Sequence, residues 1–362
     1  MKLAALFPTH RPLLALAPMQ DVTDLRFWRV IHHYGSPDLL YTEYFRVHPD
    51  SHPEKPILAD INANPTGAPV IAQMIGRDIP SLVRTAEALQ KHPIVAVDLN
   101  LGCPAPIVCR KDAGGGLLRD LPQIDAILKA LRGSISMGFT VKTRIGFGDI
   151  EEFPQLLDIF ASYPLDTLTV HGRTVKEMYG PVVHYDRIAT AVQRMQPLGC
   201  PVLANGNVRC TSTAASITRE TGVAGLMIGR GAIRNPWIFR QIREYYDAAL
   251  AADSDASVPA RVFRPTLLDV RAYIERLSQE TRRENTSERP HLGQMKKFLN
   301  FIAPGLGGTD DFVQALRRTS SLAEMFHTCD EHLLAPGKSE MDAYGGIPNW
   351  ATSLNPLPVS KL

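Results

Sequence analysis

The 362-residue sequence predicts a (β/α)8 TIM barrel followed by a small C-terminal helical domain. Three observations carry that expectation. Eight short apolar runs recur between Leu13 and Arg230, amphipathic segments separate most of them, and no G-x-G-x-x-G follows the first run. Strands alternating with helices form right-handed βαβ units and a parallel sheet. Eight such units close naturally into a barrel. The missing glycine fingerprint weighs against the runner-up, an open doubly wound sheet.

The expected strands are, in order, LLALAPM from Leu13, LLYTEYF from Leu39, PVIAQMIG from Pro69, IVAVDLNLG from Ile94, FTVKTRIG from Phe139, TLTVHGR from Thr167, PVLANGNV from Pro201 and GLMIGR from Gly225. Apolar residues at helical spacing place helices between them. Leu82, Val83, Ala86 and Leu89 mark one at 80–91, and Ile124, Ile127, Leu128 and Leu131 another at 121–131. After Tyr246 the pattern changes. Residues 248–265 are small, polar and Pro-bearing, as in a linker, which leaves 1–247 to the barrel. Beyond the linker, Leu267, Val270, Ile274 and Leu277 mark one helix, and Leu292, Met295, Phe298, Leu299 and Ile302 a second. A third is expected over 310–325, giving a helical domain at 266–334, and 335–362 reads as an irregular tail.

With 44% hydrophobic and 21% charged residues, the composition is that of a folded globular chain rather than a disordered one. The net charge of +2 leaves any nucleic-acid contact to a local patch. The opening MKLAALFPTHRP has a short apolar run ended by Pro8, too brief for a signal-peptide core, and no window nears the roughly 18 apolar residues of a membrane span. A cytoplasmic protein without membrane contact or an obligate protein partner is therefore expected. Cys103, Cys109, Cys200, Cys210 and Cys329 are scattered and form no C-x2-C pair, so reduced thiols and no metal are expected.

Strands of a parallel barrel are covered on both sides and should be almost wholly apolar, yet several of these carry polar residues near their C-terminal ends. Alternation sets Asp98, Asn100 and Gly102 on one face, Lys142 with Arg144 on another, and Thr169 with His171 and Arg173 on a third. If those faces point inward, Gln73, Asn100, Lys142, His171, Arg173 and Asn205 line the mouth where barrel enzymes keep their active sites. Cations converging there against few carboxylates favour an anionic ligand over simple pairing of Lys142 and Arg144 with Asp98. The stretches ANGNV (204–208) and GRGAI (229–233) end the seventh and eighth strands, where such barrels hold phosphate on backbone N–H groups. Gly206, Gly229 and Gly231 let backbone approach it, and Arg230 adds charge-assisted hydrogen bonds. Cys103, within NLGCP, admits three readings: a small buried hydrophobe, a thiolate nucleophile activated by His171, or a protonated thiol serving as general acid. Spacing does not separate the last two.

The segments APMQDVTD (17–24), TEYFRV (42–47), DLNLGCP (98–104), the GGGLLRD ending at Asp120, VKTRIG (141–146), VHGRT (170–174), ANGNV and MIGRGA (227–232) together resemble the tRNA-dihydrouridine synthases. HLGQMKKFLNF (291–301) resembles that family's C-terminal tRNA-binding domain. The resemblance runs over about residues 13–330 with the motifs in family order. It implies an FMN enzyme that uses NADPH to reduce the C5–C6 double bond of particular uridines in tRNA. It further implies that Pro18, Met19 and Gln20 border the flavin, that Gln73 and Lys142 bond its ring and that His171 lies against it. Asn205, Gly206, Asn207, Gly229 and Arg230 would hold its phosphate and ribityl chain. A cation beside N1 and the C2 carbonyl stabilises the anionic reduced ring, a physical reason for a lysine there. Cys103 then becomes the proton donor to C5 while hydride reaches C6, with Asn100 and Arg173 near the uracil. Two positions depart from the family pattern: Asp21 stands where glycine is common, and Asn207 where aspartate is usual. TEYFRV and GGGLLRD lean toward the C-type bacterial branch, which implies a D-loop uridine.

A base inside folded tRNA must leave its stack to reach a barrel mouth. Across 261–300, nine Lys or Arg outnumber five Asp or Glu. Arg144, Arg271, Arg282, Arg283, Lys296 and Lys297 are the candidates for phosphate contacts, against the plainer reading of solvated helix faces. Two other functions compete: an FMN barrel oxidoreductase acting on a free pyrimidine or small enone, and a non-catalytic tRNA-binding protein.

Overall fold

The computed structural model describes residues 3–250, 262–284, 286–306, 310–338 and 343–344. Most of the expected linker and tail lie outside the described residues. The strands are β1 (Leu13–Leu16), β2 (Leu39–Tyr41), β3 (Phe45–Arg46), β4 (Val70–Ile75), β5 (Ala96–Leu101), β6 (Gly138–Arg144), β7 (Thr167–His171), β8 (Val202–Asn205) and β9 (Gly225–Ile228). All pair in parallel, and the order β2-β1-β9-β8-β7-β6-β5-β4 closes on itself through β2–β4. This is the expected eight-stranded barrel with helices around it. The two-residue β3 is an addition. The expected LLYTEYF strand breaks because the Thr42 hydroxyl accepts the Gln73 N–H (3.0 Å), so that the chain rejoins the sheet only where Phe45 and Arg46 pair with Met74 and Ile75.

Alternation sorts the strand residues into two apolar layers. Leu13, Ala15, Leu39, Tyr41, Ile71, Ala96, Leu203 and Met227 pack together in the lumen, and Leu3, from a short turn at Leu3–Leu6, joins them. The intervening residues, such as Leu14, Leu40, Ala72, Val97, Val141 and Val170, pack against the surrounding helices. Those helices start where the sequence supplies a cap. Asp78 and Asp120 each stand two residues before a proline, and their carboxylates accept the N–H of Ser81 (3.0 Å) and Gln123 (3.2 Å) to open helices Ile79–Leu89 and Leu121–Ser134. No helix among the described residues is long and apolar enough to cross a membrane.

Beyond the barrel lie helices Leu267–Thr281, Glu288–Ile302, Asp310–Arg318 and Leu322–Leu333. The single helix expected over 310–325 is thus two. Ser321 caps the second by accepting the Glu324 N–H (3.1 Å), the Glu324 carboxylate takes the Ser320 N–H (2.6 Å), and the Lys296 ammonium caps the carbonyls of Arg317 (2.9 Å) and Thr319. These helices share their core with the barrel. Phe27 of helix Leu25–Gly35 stacks on Phe298 with centroids 5.9 Å apart, and Tyr34, Trp237 and Tyr273 form an edge-on aromatic cluster. Polar seams reinforce the contact: the Tyr273 hydroxyl donates to the Ile233 carbonyl (2.8 Å) and Arg234 Nε to that of Phe301 (3.2 Å).

Candidate active site

Above the apolar plug the lumen turns polar. Because β-strands alternate, Gln73 follows Ile71, Asp98 and Asn100 follow Ala96, Thr140 and Lys142 lie along β6, and Thr169 and His171 along β7, all buried. The sequence's conditional inward face is therefore the real one. Asp98 accepts from Gln73 Nε2 (2.8 Å) and from the Thr140 hydroxyl (2.5 Å). Gln73 Oε1 accepts from Asn100 Nδ2 (2.7 Å), and Asn100 Oδ1 accepts the backbone N–H groups of Gly102 and Cys103, each at 2.9 Å. Asn100 thus ties the NLGCP turn to the barrel wall. Burial raises the Asp98 carboxyl to about 6, opposed by its hydrogen bonds from Thr140 and Gln73 and by the Lys142 charge.

Cys103 is half-buried in that turn. Its carbonyl accepts the Gly115 N–H (3.0 Å), and the GGG that follows packs onto it. A Cβ at Gly114 would sit 2.8 Å from Ile75 Cδ1 and 3.1 Å from Cys103 Cβ, and one at Gly116 would sit 2.6 Å from the Cys109 carbonyl oxygen. Only glycine allows this approach. Tyr44, between β2 and β3, neighbours the thiol. Burial, then the neighbouring Cys103, push its hydroxyl to about 12, so that it stays protonated. Sequence reasoning missed Tyr44; its one signal was its place in the TEYFRV motif.

Four cations surround the mouth. Burial, then the nearby Arg144, lower Lys142 to about 8, with Asp98 opposing. Burial and the charges of Arg144, Lys142, Arg173 and Arg230 hold His171 well below the usual histidine range, so its ring is neutral. Arg173 Nη1 donates to His171 Nε2 (3.0 Å); a guanidinium has no acceptor, so the ring proton sits on Nδ1. Arg173 Nη2 donates to Asn207 Oδ1 (3.1 Å), while its Nε is buried without a partner among the described residues. Arg230 lies over the Tyr179 ring at 4.8 Å. Such a concentration of positive charge calls for an anion.

The loop after β1 carries Pro18, Met19 and Gln20. Glu43 organises it, accepting from Gln20 Nε2 (3.1 Å) and from the Val22 N–H (3.0 Å), and burial with the charges of Asp21 and Asp24 raises Glu43 to about 7. Gln20 Oε1 is buried without a partner among the described residues. Across the mouth, Asn205 Nδ2 donates to the Met227 carbonyl (2.9 Å), the Tyr185 hydroxyl holds the Gly206 carbonyl (3.1 Å), and Gly229 lies against Met19. The two departures from the family pattern share a conformation: Asp21 (φ 60°) and Asn207 (φ 52°) are left-handed, where Asn and Asp are the side chains that best replace glycine.

The basic candidates divide. Arg144 is only 1% exposed and donates to the carbonyls of Gly102, Thr174 and Met178, each at 2.8 Å, so it braces the loops of the mouth and does not face a solvent-side phosphate. Arg271 pairs with Asp330 and with Glu275 (3.2 Å), and Lys296 is the helix cap described above. Arg282, Arg283 and Lys297 are exposed.

The family model described as Dihydrouridine synthase (Dus) matches residues 15–334. A probable tRNA-dihydrouridine synthase of Staphylococcus aureus (strain COL) is 27% identical over 330 residues, covering 89% of this chain and 93% of its own length. A protein of the same name from Staphylococcus epidermidis (strain ATCC 12228 / FDA PCI 1200) is 26% identical over 339 residues, covering 92% and 96%. tRNA-dihydrouridine synthase B of Xanthomonas campestris pv. campestris is 32% identical over 262 residues, covering 72% and 76%. With the polar barrel mouth and the cysteine turn in place, a match over nearly the whole barrel and the helices after it means that this chain belongs to the dihydrouridine synthase family.

Proposed function

We propose that this protein is a tRNA-dihydrouridine synthase that binds FMN in the barrel mouth, draws on NADPH as reductant and reduces the C5–C6 double bond of a uridine in tRNA. The observation that carries the reading is a half-buried thiol, Cys103, fixed at the rim of a cation-lined mouth. The residues present fit FMN: the partnerless Arg173 Nε and Gln20 Oε1 await polar contacts, and Arg230, Lys142 and Arg173 concentrate positive charge.

FMN, when bound, supplies the hydride that uracil C6 must gain. Gln73 and Lys142 would hold its ring, with Pro18, Met19, Gln20 and His171 bordering it, and Asn205, Gly206, Asn207, Gly229 and Arg230 its ribityl phosphate. The protein's own task is the proton for C5. Cys103 gives the proton from Sγ, and the resulting thiolate is met by the protonated Tyr44 hydroxyl as hydrogen-bond donor. Neutral His171 offers its Nδ1–H as a donor, and Arg173 keeps that tautomer. Asn100 acts through the turn that carries Cys103. The helices within 266–334 would take the tRNA body, with Arg282, Arg283 and Lys297 as the exposed cations for phosphates.

The test is NADPH oxidation by the purified, flavin-loaded protein with tRNA lacking dihydrouridine. Turnover that requires this tRNA, with dihydrouridine formed in it, supports the reading. Equal turnover on free uracil without tRNA favours the small-enone oxidoreductase, and a colourless protein without flavin absorbance favours a non-catalytic tRNA binder.

A further inference from the structure

The hydrogen bonds beneath the mouth form one chain with a single polarity. A carboxylate accepts only, so Asp98 draws Gln73 Nε2 toward itself. That leaves Gln73 Oε1 to receive Asn100 Nδ2, and so Asn100 Oδ1 must face the other way, where two backbone N–H groups, of Gly102 and Cys103, require an acceptor. Both ends demand the same orientation of both amides. Asp98 is fully buried and is further held by Thr140.

We infer that Asp98 is a positioning residue for the reaction: through Gln73 and Asn100 it sets the turn that presents Cys103. The inference rests on the reading of Cys103 as proton donor. It has a second consequence for recognition. With Asn100 Oδ1 taken by two backbone N–H groups and Gln73 Oε1 turned to Asn100 Nδ2, each amide keeps one N–H hydrogen, so both side chains can donate to acceptor atoms of a ligand. Removing Asp98 frees Gln73 to rotate, so that Asn100 Nδ2 loses its fixed acceptor and the turn is held only by the Gly102 and Cys103 N–H groups on Asn100 Oδ1.

Three variants test this in the flavin-loaded protein, with turnover measured per bound flavin and Cys103 alkylation by iodoacetamide measured by peptide mass. Asp98→Ala is expected to lower kcat more than tenfold, leave KM for tRNA within twofold and change the Cys103 alkylation rate more than threefold. Asp98→Asn keeps an oxygen for Gln73 Nε2, and the Thr140 hydroxyl can turn to accept its amide, so it is expected to recover at least a third of the wild-type rate. Asn100→Asp keeps the acceptor for the turn but sets an oxygen against Gln73 Oε1. It is expected to match Asp98→Ala, and it carries the test if the alanine variant does not fold. Wild-type kcat in Asp98→Ala or Asn100→Asp, or lost kcat with unchanged alkylation, overturns the inference. An asparagine variant as impaired as the alanine variant also overturns it, since charge and not acceptor geometry would then be at work. Cys103→Ala is measured alongside: full turnover there sinks the proton-donor reading itself, whereas an inactive Cys103→Ala with a normal Asp98→Ala sinks only the positioning role.

Discussion

Lys142 and Asp98 sit in one buried layer and titrate in opposite senses, at about 8 and about 6. The lysine's folded value lies below its ordinary one, so its contribution to stability is present in strong alkali and is lost as pH falls through about 8. Carrying the charge at neutral pH costs the ligand-free protein a few kcal/mol, on the order of 1.4 per pKa unit. An anionic ligand reverses the preference and favours the protonated form. FMN affinity should therefore weaken by about tenfold from pH 7 to pH 9, read by flavin fluorescence quenching, and Lys142→Met should flatten the profile. At Cys103, replacement by alanine should leave a yellow, NADPH-reducible protein whose dihydrouridine formation falls by about 10² or more, measured in tRNA nucleosides. The sequence made this layer legible because a strand has a period of two. Arg144 shares the face but turns to loop carbonyls at Gly102, Thr174 and Met178, and the path of a loop leaves no trace in strand periodicity.

The glycine run of GGGLLRD and the two-serine break in the C-terminal helices are where elements depend on single residues. Gly116→Ala drives a Cβ onto the Cys109 carbonyl and should displace the turn that follows Cys103, costing about 1–3 kcal/mol by denaturant melt and more in kcat than in tRNA affinity. Ser321→Ala removes a helix cap and should cost about 1 kcal/mol in the same assay without changing turnover. Helix starts at Asp78 and Asp120 were readable as cap-then-proline signatures. The break at 319–321 was legible too: no apolar residue stands between Leu316 and Leu322, and Ser321 with Glu324 supplies an S-x-x-E start signature. LLYTEYF reads as one strand because nothing in its pattern shows that Thr42 bonds across to Gln73.

At the scale of the whole molecule, the barrel and the helices after it share one aromatic seam. Phe298→Ala should therefore destabilise by about 3–5 kcal/mol and still give one cooperative calorimetric transition, because the lost ring belongs to both halves. Joint replacement of Arg282, Arg283 and Lys297 by alanine should weaken tRNA binding several-fold and make it less sensitive to salt, as measured by filter binding across a salt series. Periodicity revealed both halves but not the seam, since tertiary contact between distant segments has no local signature. The seam also bears on target choice. Under the proposed function, Arg282, Arg283 and Lys297 would anchor tRNA phosphates on the same packed body that carries Cys103, and the span between them would act as a ruler. The uridine that reaches the thiol would then be selected by its distance along the folded RNA from the anchored backbone, and lengthening or shortening an RNA arm by one nucleotide would move the modified position by a like amount.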